Sequence, residues 1–440
     1  MRARRSKYCP HPSLSQRARV NYNRKSFVPE EPALTLNTPS RNDDRSDILI
    51  HGGEVTDQEG FELQPWLKDF LLTWISRFGV FLAHHVTRPL IPLYLITFGA
   101  SSTVIGAFMA VFTVTATVTR VPIGWMIDRI GRKPFLLYGA ALFGIGNFGY
   151  IWAPSIALMI PGRILHGLGW SGCTTAVATI AADIVPTARR GELMGYAGMA
   201  SSLAAALGPV LGFALFHRFD YPGIFFGAGA LLVLSFLAGL PVTEPKRSEP
   251  VPGKSSHWMD TIAVKETIHP AIAVAFLSFG HGGILTFLPI HALKLGMTNP
   301  GIWFGIYAAC ILLSRPIAGP LSDRISRRAV ILPGLILNIA GIVLLAMATS
   351  PNGLMAAAIV GGFGTGAAQP ALMTVAVDQS AASRRGQSLA QFQLFYDLGI
   401  GIGSLTLGAL LDLVGQDFSI MYLTTALVAL IGLWQHWTKG

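Results

Sequence analysis

Twelve apolar stretches recur between residue 66 and the C-terminus, and each is long enough to cross a lipid bilayer. A crossing helix needs about 20 mostly apolar residues. The stretches run Phe70–Phe98, Ser102–Ile127, Pro134–Ala153, Leu158–Asp183, Gly191–Phe216 and Pro222–Leu240, then His269–Lys294, Gly301–Ser322, Ala329–Thr349, Leu354–Val377, Gln387–Leu411 and Ile420–His436. Only 13% of the 440 residues are charged, against about 25% in a soluble domain. Glycine is abundant, at 48 residues, which suits helices that approach closely in lipid. The expected fold class is an all-α membrane protein with twelve transmembrane helices.

The polar segments give an orientation. Loops after spans 2, 4, 6, 8 and 10 carry Arg129, Arg132, Lys133, Arg189, Arg190, Lys246, Arg247, Lys254, Lys265, Arg324, Arg327, Arg328, Arg384 and Arg385. Loops on the other side carry only Arg218 and Lys294. Basic loops stay cytoplasmic, so both termini are expected inside. Residues 1–65 begin basic and continue acidic and polar, without an apolar period. That pattern predicts a disordered cytoplasmic tail. An organelle transit peptide and an upstream start are the other readings of this acid-free beginning. Cys9, Cys173 and Cys310 lie far apart and form no metal-ligand or disulfide pattern.

The chain also repeats itself. Gly124-Trp125-Met126-Ile127-Asp128-Arg129 reappears as Gly319-Pro320-Leu321-Ser322-Asp323-Arg324, an offset of 195 residues. The same offset carries Arg120 to Arg315, Gly167 to Gly362, Asp183 to Asp378, Arg190 to Arg385 and Gly208 to Gly403. One register held from span 2 to span 5 indicates a duplicated six-helix unit. The expected organisation is a six-helix bundle over residues 66–240, a cytoplasmic linker over 241–267 and a second bundle over 268–440.

At these residues a resemblance becomes specific. Gly124 to Lys133 resembles the signature loop between helices 2 and 3 of the major facilitator superfamily, and Gly319 to Arg328 is similar, with Ser326 where the pattern has glycine. Arg163-Ile164-Leu165-His166-Gly167-Leu168-Gly169 resembles that family's helix 4 motif. Gly208-Pro209-Val210-Leu211-Gly212 resembles its helix 5 motif associated with antiporters, with Ala204 and Phe213 at positions where the fuller pattern has glycine. The resemblance implies two pseudo-symmetric six-helix bundles with a substrate site between them near the midplane. It also implies that spans 1, 4, 7 and 10 line the cavity and that span 2 meets span 11.

Each motif has a physical reading. Asp128, with Arg129, Arg132 and Lys133, is expected to latch the cytoplasmic side against the N-terminus of span 11, whose partial positive charge favours a carboxylate. Asp323, with Arg324, Arg327 and Arg328, is the matching set against span 5. The alternative is that these charges only set topology. Gly208, Pro209 and Gly212 would form a pivot in span 5, since small residues let backbones touch and proline removes a helix hydrogen bond; pure packing explains them equally.

Charges within the spans are the sharpest signal, because a charge at bilayer centre is retained only where it meets a cavity or a partner. Asp397 is the one acid placed deep in a span. It stands eleven residues after Gly386, about 16 Å along a helix. Arg120 is its first expected partner and Arg88 its second. Two readings stand: a proton-coupling pair, whose protonation biases a two-state equilibrium, or a static ion pair. Arg88, Arg163, His84, His85, His166 and His281 are candidate substrate-cavity residues, the histidines because they change charge near physiological pH. Hydrogen bonding to a neighbouring helix is the other account of each histidine.

No Walker loop, metal-ligand cluster or catalytic constellation appears. The expectation is therefore a secondary transporter and not an enzyme, with no cofactor and no metal. Its partners would be a small-molecule substrate, protons and the lipid bilayer, with no nucleic acid, in a monomer of the bacterial inner membrane. Proton-coupled export of an amphiphilic, cationic or drug-like molecule is the first functional reading. Import or facilitated passage of a polar or anionic metabolite is the second, and a transporter-like sensor the third.

Overall fold

The structure is a computed structural model that describes residues 65–186, 189–244, 267–380 and 385–439. The expected tail and most of the expected linker fall on residues 1–64 and 245–266, outside the described residues. Every regular element among the described residues is helical: α1 (Pro65–Thr87), α2 (Ile91–Thr97), α3 (Ser102–Ile130), α4 (Lys133–Gly149), α5 (Ile156–Ile184), α6 (Arg190–Gly239), α7 (Ile268–Lys294), α8 (Gly301–Arg324), α9 (Arg327–Met347), α10 (Pro351–Asp378), α11 (Arg385–Leu413) and α12 (Phe418–Lys439).

Elements and spans differ at two places, each with a local cause. Span 1 is broken into α1 and α2 across Arg88, Pro89 and Leu90. Pro89 and Pro92 have no N–H, so the carbonyls of His85 and Arg88 lose their helical donors, and the ring of Pro89 crowds the preceding turn. Conversely, α6 runs 50 residues, about 75 Å of helix at 1.5 Å per residue, more than twice a hydrocarbon core of about 30 Å. It turns back at Asp220, whose φ of 56° and ψ of −164° leave the helical region just before Pro222. One element is therefore two crossings and two elements are one, and twelve crossings result.

Length and composition alone qualify α3, α6, α7, α8, α9, α11 and α12 as membrane-crossing. α4, with 17 residues, is short. The long helices that do not qualify, α1, α5 and α10, bury Ser76, His84, Arg163, His166 and Thr365. They face protein and cavity more than lipid, so they need less apolar surface. The outer face is a belt of exposed side chains such as Val118, Leu313, Ile317, Leu427 and Trp434, which water would not tolerate but lipid does.

The distribution of core positions the site. One cluster joins both halves: Ile91, Leu95, Ile105 and Phe108 pack with Ile284, Phe287, Leu288 and Leu407. The fully buried members of the other large clusters do not mix. Val80, Val86, Leu136, Phe143 and Ile180 belong to the first half; Val274, Leu277, Ile331, Leu335 and Phe392 belong to the second. The halves are thus fused by apolar packing at one end and parted at the other. The parted end carries Arg129, Arg132, Arg324 and Arg327, and is called the basic-loop end below.

Candidate functional site

Between the halves lies a cavity of about 550 Å3, lined from α1 by Arg77, Phe81, His84, His85 and Arg88 and from α3 by Phe112, Thr113 and Arg120. Trp170 of α5 and Gln369, Gln393, Tyr396 and Asp397 of α10 and α11 close it. It continues through Ser201, Gln369 and Gln393 into a vestibule of about 850 Å3 beside Asp323 and Arg327. The pocket therefore opens at the basic-loop end.

Arg120 and Asp397, expected as partners on neighbouring spans 2 and 11, meet inside the cavity. Arg120 Nη2 lies 3.3 Å from Asp397 Oδ2, and Gln393 Nε2 donates to Asp397 Oδ1 at 3.0 Å. Both charged side chains keep some exposure to the cavity, 24% and 16%. The pair bridges the two halves, α3 to α11. At the same offset of 195, Arg315 of α8 donates from Nη1 to Ser202 Oγ of α6 at 3.2 Å. Ser202 is the repeat mate of Asp397. The duplication kept both cross-half contacts, one ionic and one neutral.

The opposite end is closed by a second pair of cross-half contacts. Asp412, at the end of α11, caps the first turn of α3: Ser102 N–H donates to Oδ1 at 2.9 Å, and Thr103 N–H and Oγ1 donate to Oδ2 at 2.8 and 2.7 Å. The repeat mate of Asp412 is His217, and its Nε2 is 3.1 Å from the carbonyl oxygen of Thr298, the mate of Thr103.

A family model described as the Major Facilitator Superfamily matches residues 71–303 and 293–439. The chain belongs to that superfamily. Among its relatives, an uncharacterised MFS-type transporter of Methanocaldococcus jannaschii is 24% identical over 83% of this chain and 96% of its own length. The multidrug resistance protein MdtG of Escherichia coli O9:H4 is 26% identical over 85% and 95%. A solved bacterial homologue of the human lysosomal transporter Spinster, in an inward-facing and unoccupied conformation, superposes with a TM-score of 0.72 at 14% identity, covering 84% of this chain and 96% of the other. The human organic anion transporter MFSD10 superposes at 0.60 with 16% identity, covering 85% and 100%. The fold is the major facilitator fold and the chain is a multi-pass membrane transporter, not an enzyme.

Not every expected cavity residue of this facilitator lines the cavity. His84, His85 and Arg88 do. Arg163 lies behind the wall, buried, donating from Nε to the Phe108 carbonyl at 3.3 Å and facing the Phe112 ring at 4.8 Å. His166 is buried beside the Tyr150 hydroxyl at 3.3 Å. His281 pairs with the Tyr307 hydroxyl at 2.7 Å, which in turn meets Thr365 at 2.8 Å. For these three the placement is that of side chains that tie helices together. Gly208 and Gly212 pack on α1: a Cβ on Gly208 would stand 2.4 Å from the His85 Cβ, and one on Gly212 2.3 Å from the Val86 carbonyl. They hold spans 1 and 5 of one half together, while the Pro209 carbonyl faces Gly301 of the other half.

Among the described residues, the expected latch residues form no ion pair across the halves. Asp128 is exposed and pairs with no described residue. Arg129 stacks on Trp125 at 3.9 Å. Arg132 pairs with Asp183 at 3.1 Å, and its N–H and that of Lys133 donate to the Glu244 carboxylate at 2.7 and 2.8 Å. Arg327 pairs with Asp323 and, at 3.2 Å, with Asp378, the mate of Asp183. Arg324 and Arg328 are exposed. The departure at Ser326 has a backbone reason. Gly131 holds φ at 125°, a left-handed value that favours glycine, whereas Ser326 is extended at φ −174° and caps α9 by accepting from Ala329 N–H at 3.1 Å.

Sequence reasoning missed Arg77, Asp412 and the Arg315–Ser202 contact. The offset of 195 was the signal for the last of these. Arg77 lies within the first apolar stretch and was open to the same depth argument as Arg88.

Proposed function

We propose that this facilitator is a proton-coupled secondary transporter that exports a small organic molecule by alternating access, with two six-helix bundles over residues 66–240 and 268–440 as its moving halves. The observation that carries the reading is the Arg120–Asp397 pair, which spans the halves inside the cavity. Deprotonated, Asp397 ties α11 to α3; protonated, it loses the ionic part of that tie. A proton thus acts on the contact that must change between states, and only such a differential interaction shifts a conformational equilibrium.

The Lys/Arg bias of the loops supports an orientation with the basic-loop end and both termini in the cytoplasm. The cavity then opens inward, and the bacterial relatives fit an inner-membrane location. In the outward-open state the Asp128 and Asp323 groups would close the cytoplasmic side. The multidrug relative and the Gly208-Pro209 motif support export. Uptake of an anionic metabolite is the second reading, and Arg88 in the cavity wall favours it.

The test is growth of exporter-stripped cells against a broad panel of toxic compounds, comparing wild type, Asp397→Asn and empty vector at matched expression. Resistance in wild type that disappears in Asp397→Asn is the expected result. Undiminished efflux by Asp397→Asn under an imposed proton gradient would remove the coupling role.

A further inference from the structure

The cavity wall holds more positive charge than it answers. Arg77, Arg88 and Arg120 line it, and Asp397 is the only acid among the described lining residues. Asp397 is already engaged by Arg120. Arg77 and Arg88 form no ion pair with a described residue, and Arg77 Nε is buried without a hydrogen-bond partner. A guanidinium withdrawn from water is costly unless something compensates it, and an ionised residue kept inside a membrane protein marks a pathway or a ligand. The fold does not demand these two. The repeat positions of Arg77 and Arg88, 195 residues on, are Ile272 and Gly283, so the second half builds the same bundle without them.

Geometry orders the two charges. Arg77 and Arg88 are eleven residues apart on span 1, about three helical turns, and so share one face. Arg77 is nearer the mouth and Arg88 sits deep, at the α1–α2 break. Between their levels stands an aromatic wall. The Trp170 ring lies 4.7 Å from Phe81 and 4.3 Å from His84, centroid to centroid, and Phe81 also faces the Arg77 guanidinium at 5.3 Å.

We propose that the cargo of this cavity is an organic anion with a flat apolar body: a carboxylate, sulfonate or phosphate monoester docks on Arg88, its ring lies against Phe81 and Trp170, and Arg77 draws it in from the mouth. The inference rests on the reading of this cavity as the transport site, and it fixes the sign of the substrate's charge for either direction of transport. Arg120 stays with Asp397 while the anion binds, so the coupling pair is not consumed in recognition. A planar, bidentate guanidinium suits such oxyanions better than a point charge does.

The test is equilibrium binding to the purified full-length protein in detergent, without a proton gradient, using 2-naphthoate, its neutral amide and 2-naphthylmethylammonium. Naphthoate should bind at least ~10-fold tighter than the amide, about 1.4 kcal/mol, and the ammonium compound weakest. Arg88→Gln should abolish that preference while the amide binds as before, and Arg88→Lys should restore part of it. Arg77→Gln gives a second variant, expected to weaken naphthoate severalfold, should Arg88→Gln not purify as a monodisperse protein. Equal affinity for naphthoate and amide, tightest binding of the ammonium compound, or no naphthoate binding up to millimolar concentration would each overturn the inference. Because binding is read without a gradient, its failure leaves proton coupling standing, and loss of coupled movement with anion preference intact leaves this inference standing.

Discussion

Replacing Asp412 by alanine should tip the transporter toward opening at the end opposite the basic loops. In this state the Asp412 carboxylate takes three hydrogen bonds from Ser102 and Thr103 across the seam. Those contacts exist only while the far end is shut. When the halves part there, the N–H groups at the start of α3 and the carboxylate are both returned to water. Removing a capping carboxylate from a helix N-terminus costs about 0.5–2 kcal/mol, and a hydrogen bond to a charged group contributes about 1.5–3 kcal/mol. Asp412 is half-buried, so solvent competes, and a net shift of about 1–2 kcal/mol is the reasonable size. That is a factor of about 5–30 in the ratio of protein open to protein closed at this far end. Spin labels at Leu158→Cys and Met347→Cys, both exposed and on different halves at the far end, report it as a pulsed-EPR distance distribution once the native cysteines are replaced. The long-distance population should rise in Asp412→Ala and rise less in Asp412→Asn. A distribution that Asp412→Ala leaves unchanged would refute the reasoning, because the cap would then contribute equally to both states.

Three further outcomes follow from contacts described above. Arg120→Ala, which strands the Asp397 carboxylate, should abolish gradient-driven transport, whereas Arg315→Ala, which loses one neutral contact to Ser202, should retain most of it; vesicle transport under an imposed pH gradient compares the two. Gly131→Ala forces a side chain into a left-handed backbone costing about 1–2 kcal/mol and toward Glu244 Oε1 at 2.8 Å, so its thermal midpoint in detergent should fall by several degrees, while Ser326→Gly should lose little more than its cap. Gly208→Val drives a branched side chain into the His85 backbone, an overpacking cost of about 1–3 kcal/mol or more, and should lower the same midpoint.

The twelve crossings were legible because each must satisfy the same solvent, and lipid leaves a length signature that needs no partner. The duplication was legible because one register survived from Arg120 to Gly208. Asp397 and Arg120 could be paired because a rise per residue turns sequence position into height and the family resemblance makes spans 2 and 11 neighbours. What height cannot supply is the face of the helix. Arg163, His166 and His281 stand at cavity depth, but α5 and α7 are apolar or small on every side, so nothing in their periodicity separates the cavity face from the packing face. The Asp128 group was read as a latch against span 11 or as charges that only set topology, and among the described residues it makes no such contact in a state open at the same end. Asp412 was passed over because it sits at the end of the apolar stretch, where a carboxylate reads as loop; its role depends on a helix terminus 309 positions away.

Under the proposed proton coupling, the serine at position 202 would set a ceiling on what this transporter can accumulate. Its two arginine contacts are copies of one ancestral contact, yet only the Asp397 copy can take up a proton. Asp397 is the only acid among the described residues that line the cavity, so with it as the proposed coupling group one turnover would carry one proton. A charge moved through 100 mV releases about 2.3 kcal/mol, enough to hold a concentration ratio of about 50-fold at 1.4 kcal/mol per decade, before the cargo's own charge is counted. Ser202→Asp would place a second carboxylate opposite Arg315 and, if it titrates in step, would square that ratio.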